Sequence, residues 1–256
     1  MPPSAHLLAS LRQTLAPFEP GRASVPLGHS GADAVLRGLR REALHEVHAG
    51  GPGHDAAACG FALGLAQRLC GDRTLLWIRQ DFSALEHGEV YGGGLVEMGF
   101  NPARLILLRV DHAKDALKAA GDALSCKGLG AVVLEIYGEH KALDLTATRR
   151  LTLATARAGV SAVLLRLGAQ ADASAAETRW SVCASPSPTE DFGYPRFDAA
   201  LARNRHGPTG RWIMEWNCDD GSFCESRPSK IAADRFDLAA APADRQAETE
   251  EFRRAG

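Results

Sequence analysis

Twelve consecutive residues, Glu46-Val47-His48-Ala49-Gly50-Gly51-Pro52-Gly53-His54-Asp55-Ala56-Ala57, have the spacing of a phosphate-binding loop and lack its chemistry. An apolar strand leads in, a glycine-rich turn follows and an Ala-rich helix leads out. That is the layout strand, G-x-x-x-x-G-K-[ST], helix. Set against it, His54 falls on the last glycine, Asp55 on the lysine and Ala56 on the Ser/Thr. In the motif the ammonium grips the β/γ-phosphates and the hydroxyl holds Mg²⁺. Here a carboxylate and a methyl take those places. Bound phosphate needs backbone N–H groups at a helix N-terminus and a cation as well. Asp55 is expected instead to cap the helix with its own carboxylate and so to fill the place of a phosphate. An ordinary turn built on Gly50, Gly51, Pro52 and Gly53 accounts equally for the spacing. Either way ATP and Mg²⁺ are not expected as cofactors, and a scaffold role is favoured over catalysis.

Other candidates follow the same strand-end logic. Ala131-Val132-Val133-Leu134-Glu135 has the form of a Walker B strand, an apolar run ending in an acid. Glu135 is a longer acid than the usual Asp, and with Ala56 opposite the Mg²⁺ site is incomplete. Asp81, at the end of the run Leu75–Arg79-Gln80, stands where a water-activating carboxylate would stand, or simply in an exposed turn. The histidines are scattered and no G-x-S-x-G elbow is present, which argues against a serine hydrolase. The six cysteines, Cys59, Cys70, Cys126, Cys183, Cys218 and Cys224, form no C-x-x-C pair. They are expected to be mostly buried, with no metal site. Arg179, Arg203 and Arg205 lie in a third of the chain that also holds Trp180, Trp212 and Trp216. Arginines near aromatic rings suit single-stranded DNA, and equally a solvated face beside a tryptophan core.

The elements that must position these residues are legible as alternation. Strands are expected at Ala43–His48, Thr74–Arg79, Leu105–Val110, Ala131–Ile136 and Ala162–Leu167. Helices are expected at 30–40, Asp55–Leu69, Leu85–Gly99, Ala113–Lys127 and Asp144–Ala158. Continuous apolar strands alternating with amphipathic helices imply an α/β fold, a mostly parallel central sheet flanked by helices. Gly168–Thr178 reads as a mobile surface loop. Arg179–Ala184 and Arg211–Asn217 read as strands of an antiparallel C-terminal extension. The domain reading is 1–24, an N-terminal helix (4–16) and linker; 25–225, the core; and 226–256, a polar, flexible tail. A net charge of −2 on 256 residues gives no overall attraction to nucleic acid or membrane. Neither a secretory signal nor a long apolar span is visible, so a cytoplasmic protein is expected.

Several stretches, in order, resemble the RecA-like family of inducible mutagenesis protein A (ImuA), and through it the RecA core. They are Leu27-Gly28-His29-Ser30-Gly31-Ala32-Asp33 running to Leu39, Ala43-Leu44-His45-Glu46-Val47, and Trp77 to Asp81 with Tyr91. Gly99-Phe100-Asn101-Pro102-Ala103-Arg104-Leu105 follows, then Thr178-Arg179-Trp180, Ser185-Pro186-Ser187, and Asn204-Arg205-His206-Gly207 with Trp212. The resemblance covers roughly residues 25–225 and implies a RecA-like P-loop fold. It places Asp55 and Ala56 on the RecA lysine and Ser/Thr, Glu135 on the Walker B acid, Asp81 near the catalytic glutamate and Tyr91 near an adenine-stacking tyrosine. It implies an accessory role in damage-induced (SOS) mutagenesis. The partners implied are a Y-family polymerase-like protein of the ImuB type, RecA and an error-prone replicative-type polymerase in translesion synthesis. Weak ATP binding, single-stranded DNA binding and self-association stay open as alternatives.

Overall fold

The computed structural model describes residues 23–186 and 194–226. The helix expected at 4–16 lies outside them, as does the tail expected at 226–256 beyond Ser226. A short antiparallel pair, β1 (Ser24–Val25) with β2 (Leu39–Arg40), brackets helix α1 (Ser30–Leu36). The core then alternates. β3 (Leu44–Ala49), α2 (Asp55–Cys70) and β4 (Thr74–Gln80) are followed by α3 (Asp81–His87), α4 (Gly92–Glu97) and β5 (Leu105–Val110). Next come α5 (Ala113–Ala123), β6 (Leu129–Tyr137), α6 (Leu145–Ala158) and β7 (Ser161–Leu167). Four strands close the chain: β8 (Thr178–Ala184), β9 (Arg196–Asn204), β10 (Gly210–Asn217) and β11 (Ser222–Glu225).

The nine-stranded sheet runs in the order β11-β10-β9-β8-β3-β7-β6-β4-β5. Strands β8, β3, β7, β6, β4 and β5 are mutually parallel, and β9, β10 and β11 add antiparallel. This is the α/β architecture with a mostly parallel sheet and an antiparallel C-terminal extension that the sequence implies, and it is consistent with a RecA-like fold. One detail differs. The extension begins parallel, because β8 pairs with β3 in the same direction. The chain between β7 and β8 therefore has to cross over β3, and residues 168–177 make that crossing. They were expected to be a surface loop, yet Ser174, Ala176 and Glu177 are buried.

Helix α2 covers one face of the sheet, and α5 and α6 cover the other. The α2 face holds the aromatic core. Phe61 packs with ring centroids 5.2 Å from Trp180 and 4.9 Å from Phe223, and Trp216 lies 4.8 Å from Phe223. Trp180 and Trp216 are fully buried, in keeping with a structural role, while Trp212 is half-buried. Helix α6 starts where Asp144 accepts a hydrogen bond from the Ala147 amide at 2.7 Å, and stops where Gly159 turns left-handed at φ 72°. The helix expected over Leu85–Gly99 is two short ones broken at Gly88–Tyr91. Gly88 has φ 76°, and three glycines in a row (Gly92, Gly93, Gly94) weaken the second. Of the cysteines only Cys70 is buried; Cys126 is exposed and the others are half-buried.

Among the described residues strand β5 ends the sheet, with no strand paired to its outer edge. Ile106, Leu107 and Leu108 on it are exposed, and so are Phe82 and Leu85 on α3 and Val96 on α4. A bare apolar edge is a template for another strand unless something covers it.

Two glycines of α2 separate packing from propensity. A Cβ on Gly64 would sit 2.7 Å from Phe223 and 3.0 Å from Trp216, both fully buried rings. On Gly60 the nearest atom would be 3.4 Å away, an ordinary contact with Phe197. Helix propensity favours alanine at both by about 1 kcal/mol. Gly60→Ala is therefore expected to be neutral or to stabilise by up to about 1 kcal/mol. Gly64→Ala is expected to destabilise by about 1–3 kcal/mol through overpacking. Urea unfolding of the two variants checks the contrast.

Candidate functional site

The loop at the end of β3 is sewn to its neighbour. The Gly50 amide donates to the Val182 carbonyl at 2.7 Å, and the Ala184 amide donates to His54 Nδ1 at 3.1 Å. A side chain at Gly50 would meet Cys183 Sγ at 2.3 Å, so close approach to β8 requires glycine. Gly53, at φ 79°, completes the turn. The expected cap is corrected by one residue. His54 holds the N-cap position, Asp55 is the first helical residue, and no side chain caps the helix. Asp55 therefore acts through its charge, which the positive end of the helix favours. Ala56 is exposed. The glycine-rich turn and the helix that follows it are both present, with Asp55 as the acid of the first helical turn.

Glu135, the Walker-B-like acid, is fully buried, and its carboxylate is already occupied. Oε1 accepts from Arg79 Nε at 3.3 Å and Nη2 at 3.1 Å, and Oε2 accepts from Trp77 Nε1 at 2.8 Å. The remaining Arg79 nitrogen, Nη1, donates to the Gly88 carbonyl at 3.0 Å. The thiol of Cys59, on the first turns of α2, links this pair to the loop. Burial pushes it up to about 12, the charges of Glu135 and Asp55 add to the rise, and Arg79 opposes it. Asp55, Cys59, Arg79 and Glu135 thus share one electrostatic neighbourhood, and the thiol there is not a nucleophile.

Asp81 and Tyr91 stand in solvent. Asp81 opens α3 and receives Arg109 Nε at 2.7 Å, and a second nitrogen of Arg109 reaches Glu89 at 2.6 Å. The hydrogen bond from Arg109 holds the Asp81 carboxyl below its ordinary range. Tyr91, just before α4, is 76% exposed.

A second buried acid lies on the opposite face. Glu46 of β3 is fully buried. It accepts from Arg179 Nε at 2.9 Å and from the Ser174 hydroxyl, with Arg166 Nη1 3.7 Å away. His48 Nε2 stands 3.0 Å from Glu46 as a charge contact off the hydrogen-bond axis. Burial alone would raise this carboxyl. The close approach of His48, the bond from Ser174 and the charges of His48 and Arg179 outweigh burial and bring it down to about 2. The cluster ties down the 168–177 crossing. Arg179 also donates to the Asp172 carbonyl, Arg203 to the Ser174 carbonyl, and the Ala175 amide to Thr148 Oγ1 at 3.1 Å. Arg179 and Arg203 are thus committed to internal bonds, whereas Arg205 is exposed.

Sequence reasoning found the loop and Glu135 but missed Arg79, Trp77 and the Glu46 cluster. A signal was present. Glu46, Arg79, Glu135 and Arg166 are charges within strands whose residues are mostly buried, and charges in a sheet covered on both faces must pair. Beyond the carboxyl ends of β4 and β6 lies a cleft of about 780 Å³. Its lining mixes Lys114 and Lys141 with Asp111, Asp115 and Glu139, so it has no preferred charge.

Two expected outcomes test this arrangement. Arg79→Met strands the Glu135 charge and is expected to cost about 3–5 kcal/mol in urea unfolding, and adding Glu135→Leu is expected to recover most of the loss. Glu46 has a folded pKa below its unfolded one. Its contribution is therefore full above about 4.5 and is lost as pH falls towards about 2. The depression corresponds to on the order of 3 kcal/mol. The stability gap between the protein and Glu46→Gln is expected to narrow from neutral pH to about pH 3. A gap that does not change with pH would show that Glu46 is not the titrating group.

No family model matches the chain. Two curated proteins do match it, both named Protein ImuA and both from Caulobacter vibrioides, strains NA1000 / CB15N and ATCC 19089 / CIP 103742 / CB 15. Each is 32% identical over 198 residues, a match covering 70% of this chain and 76% of the relative.

Proposed function

The chain belongs to the ImuA family, and on that premise we propose that it is a non-catalytic accessory protein of damage-induced mutagenesis, an adaptor that works by contact. The observation that carries this reading is the engagement of Glu135. A Walker B acid must offer its carboxylate to the water shell of Mg²⁺. Glu135 spends both oxygens on Arg79 and Trp77, with Asp55 where an ammonium is needed. Freeing the acid would leave the Arg79 guanidinium buried without a partner, a cost of several kcal/mol. The proposal therefore includes neither ATP nor Mg²⁺ as a cofactor.

An adaptor needs surface, and the bare β5 edge supplies it. Ile106, Leu107 and Leu108, exposed on this edge strand, suit an added strand from a partner. We assign that place to the Y-family polymerase-like protein of the ImuB type, in a cytoplasmic translesion assembly with an error-prone polymerase and RecA. Among the described residues no helix is long and apolar enough to cross a membrane. Direct single-stranded DNA binding is the less favoured reading, since Arg179 and Arg203 are occupied internally.

The test pairs an activity with an interaction. Purified protein is expected to release no phosphate from ATP above background, with or without single-stranded DNA. It is also expected to copurify with the polymerase-like partner, and Ile106→Glu with Leu108→Glu should weaken that association at least about tenfold. ATP turnover that follows the protein through purification would overturn the non-catalytic reading. Copurification unaffected by the edge substitutions would remove β5 as the contact.

A further inference from the structure

A shallow groove of about 490 Å³ lies on the outer side of α6, where the chain leaving α5 passes it. Lys127, Arg150 and Arg157 line it, with Leu153, Ala154 and Ser125 among them. It shares no residue with the loop, the Glu46 cluster or the β5 edge. Helix α6 carries three arginines (Arg149, Arg150, Arg157) and no acid. Arg150 and Arg157 are two turns apart, so both face the same side, with Leu153 between them. Leu153 is 64% exposed. Among the described residues no carboxylate forms an ion pair with Lys127, Arg150 or Arg157, although the chain as a whole is slightly acidic.

An ordinary solvated helix face alternates its charges or pairs them at i, i+4. This one keeps a single sign around an exposed leucine. Cations of one sign ringing an apolar centre are the arrangement of a contact surface with a charged rim. Two classes of polyanion could meet it. A nucleic acid would use the cations, but single-strand sites also place aromatic rings under the bases, and this groove has an aliphatic centre and no aromatic residue. An acidic amphipathic helix would use both features, setting an apolar residue on Leu153 and Ala154 and carboxylates on Lys127, Arg150 and Arg157.

We propose that this groove is a docking site for an acidic amphipathic segment of a partner protein, with Leu153 as the apolar anchor and Lys127, Arg150 and Arg157 as the charged rim. The site goes beyond the adaptor reading and does not depend on it, because it concerns another surface and a different chemistry of contact. The substitutions that test it lie on exposed side chains, so the fold is expected to tolerate them, and a thermal melt of each variant checks that it has.

A displayed library of random peptides is panned against the full chain, with the Arg150→Glu/Arg157→Glu variant as counter-target. The enriched peptide and a poly-dT oligonucleotide are then titrated by fluorescence anisotropy. Enriched sequences are expected to be acidic, with apolar residues at helical spacing. Binding of the chosen peptide should weaken about tenfold in Arg150→Ala/Arg157→Ala and about fivefold in Leu153→Ser, and should fall with salt. Peptides that bind the charge-reversed variant equally well would overturn the proposal. So would poly-dT binding that depends on the arginines and is indifferent to Leu153→Ser, which would make the groove a nucleic-acid contact. Poly-dT retained by all variants leaves the groove to the peptide and supports it.

Discussion

A charge inside a parallel sheet covered on both faces has no water to turn to, and most of what is distinctive in this structure follows from two such charges. Glu135 and Glu46 are both fully buried, on opposite faces. Each is neutralised by arginine from an adjacent strand. Arg79 lies directly across from Glu135 in the β4–β6 pairing, and Arg179 lies directly across from Glu46 in the β3–β8 pairing. A slip of one residue would send Arg79 to the face opposite Glu135 and leave two unpaired charges in the core. The ion pairs therefore help to fix register, in strands whose Val, Ile and Leu side chains would pack almost as well one step along.

The same arrangement decides what is left for function. Glu135, the acid that ends the apolar run of β6, is consumed in holding β6 to β4. The arginines of the C-terminal third that looked available for DNA, Arg179 and Arg203, hold the 168–177 crossing in place. Among the described residues, exposed apolar and cationic side chains lie at the periphery, along the β5 edge and over α6.

Alternation of apolar strands and amphipathic helices was legible because each strand is long enough to read as a run. Strand β9 was not, since Arg196, Asp198 and Arg203 make its sequence look like a solvated segment. Its charges are cross-strand partners. Arg196 pairs with Glu215 and Asp198 with Arg211, both on β10, so the polarity that hides the strand also holds it. The glycine-rich turn was legible for the opposite reason, because its residues are contiguous. Asp55 was placed one step too early, since the cap is set by backbone angles at His54 that composition does not encode. That Glu135 needs a cation was legible, but which cation supplies it was not. Arg79 is 56 residues away, and only the strand order β7-β6-β4 brings the two side by side.

That distance bears on what the end of β6 can still offer. Three nitrogens of Arg79 are spent, two on Glu135 and one on the Gly88 carbonyl. A guanidinium fixed at both ends cannot swing away without stranding the acid and an acceptor. On the adaptor reading proposed above, a lysine placed at 55 would supply a cation and still find the β6 carboxylate engaged. On that reading Asp55 and the Arg79–Glu135 pair act by separate means, one through its charge at the helix N-terminus and one through an ion pair between adjacent strands.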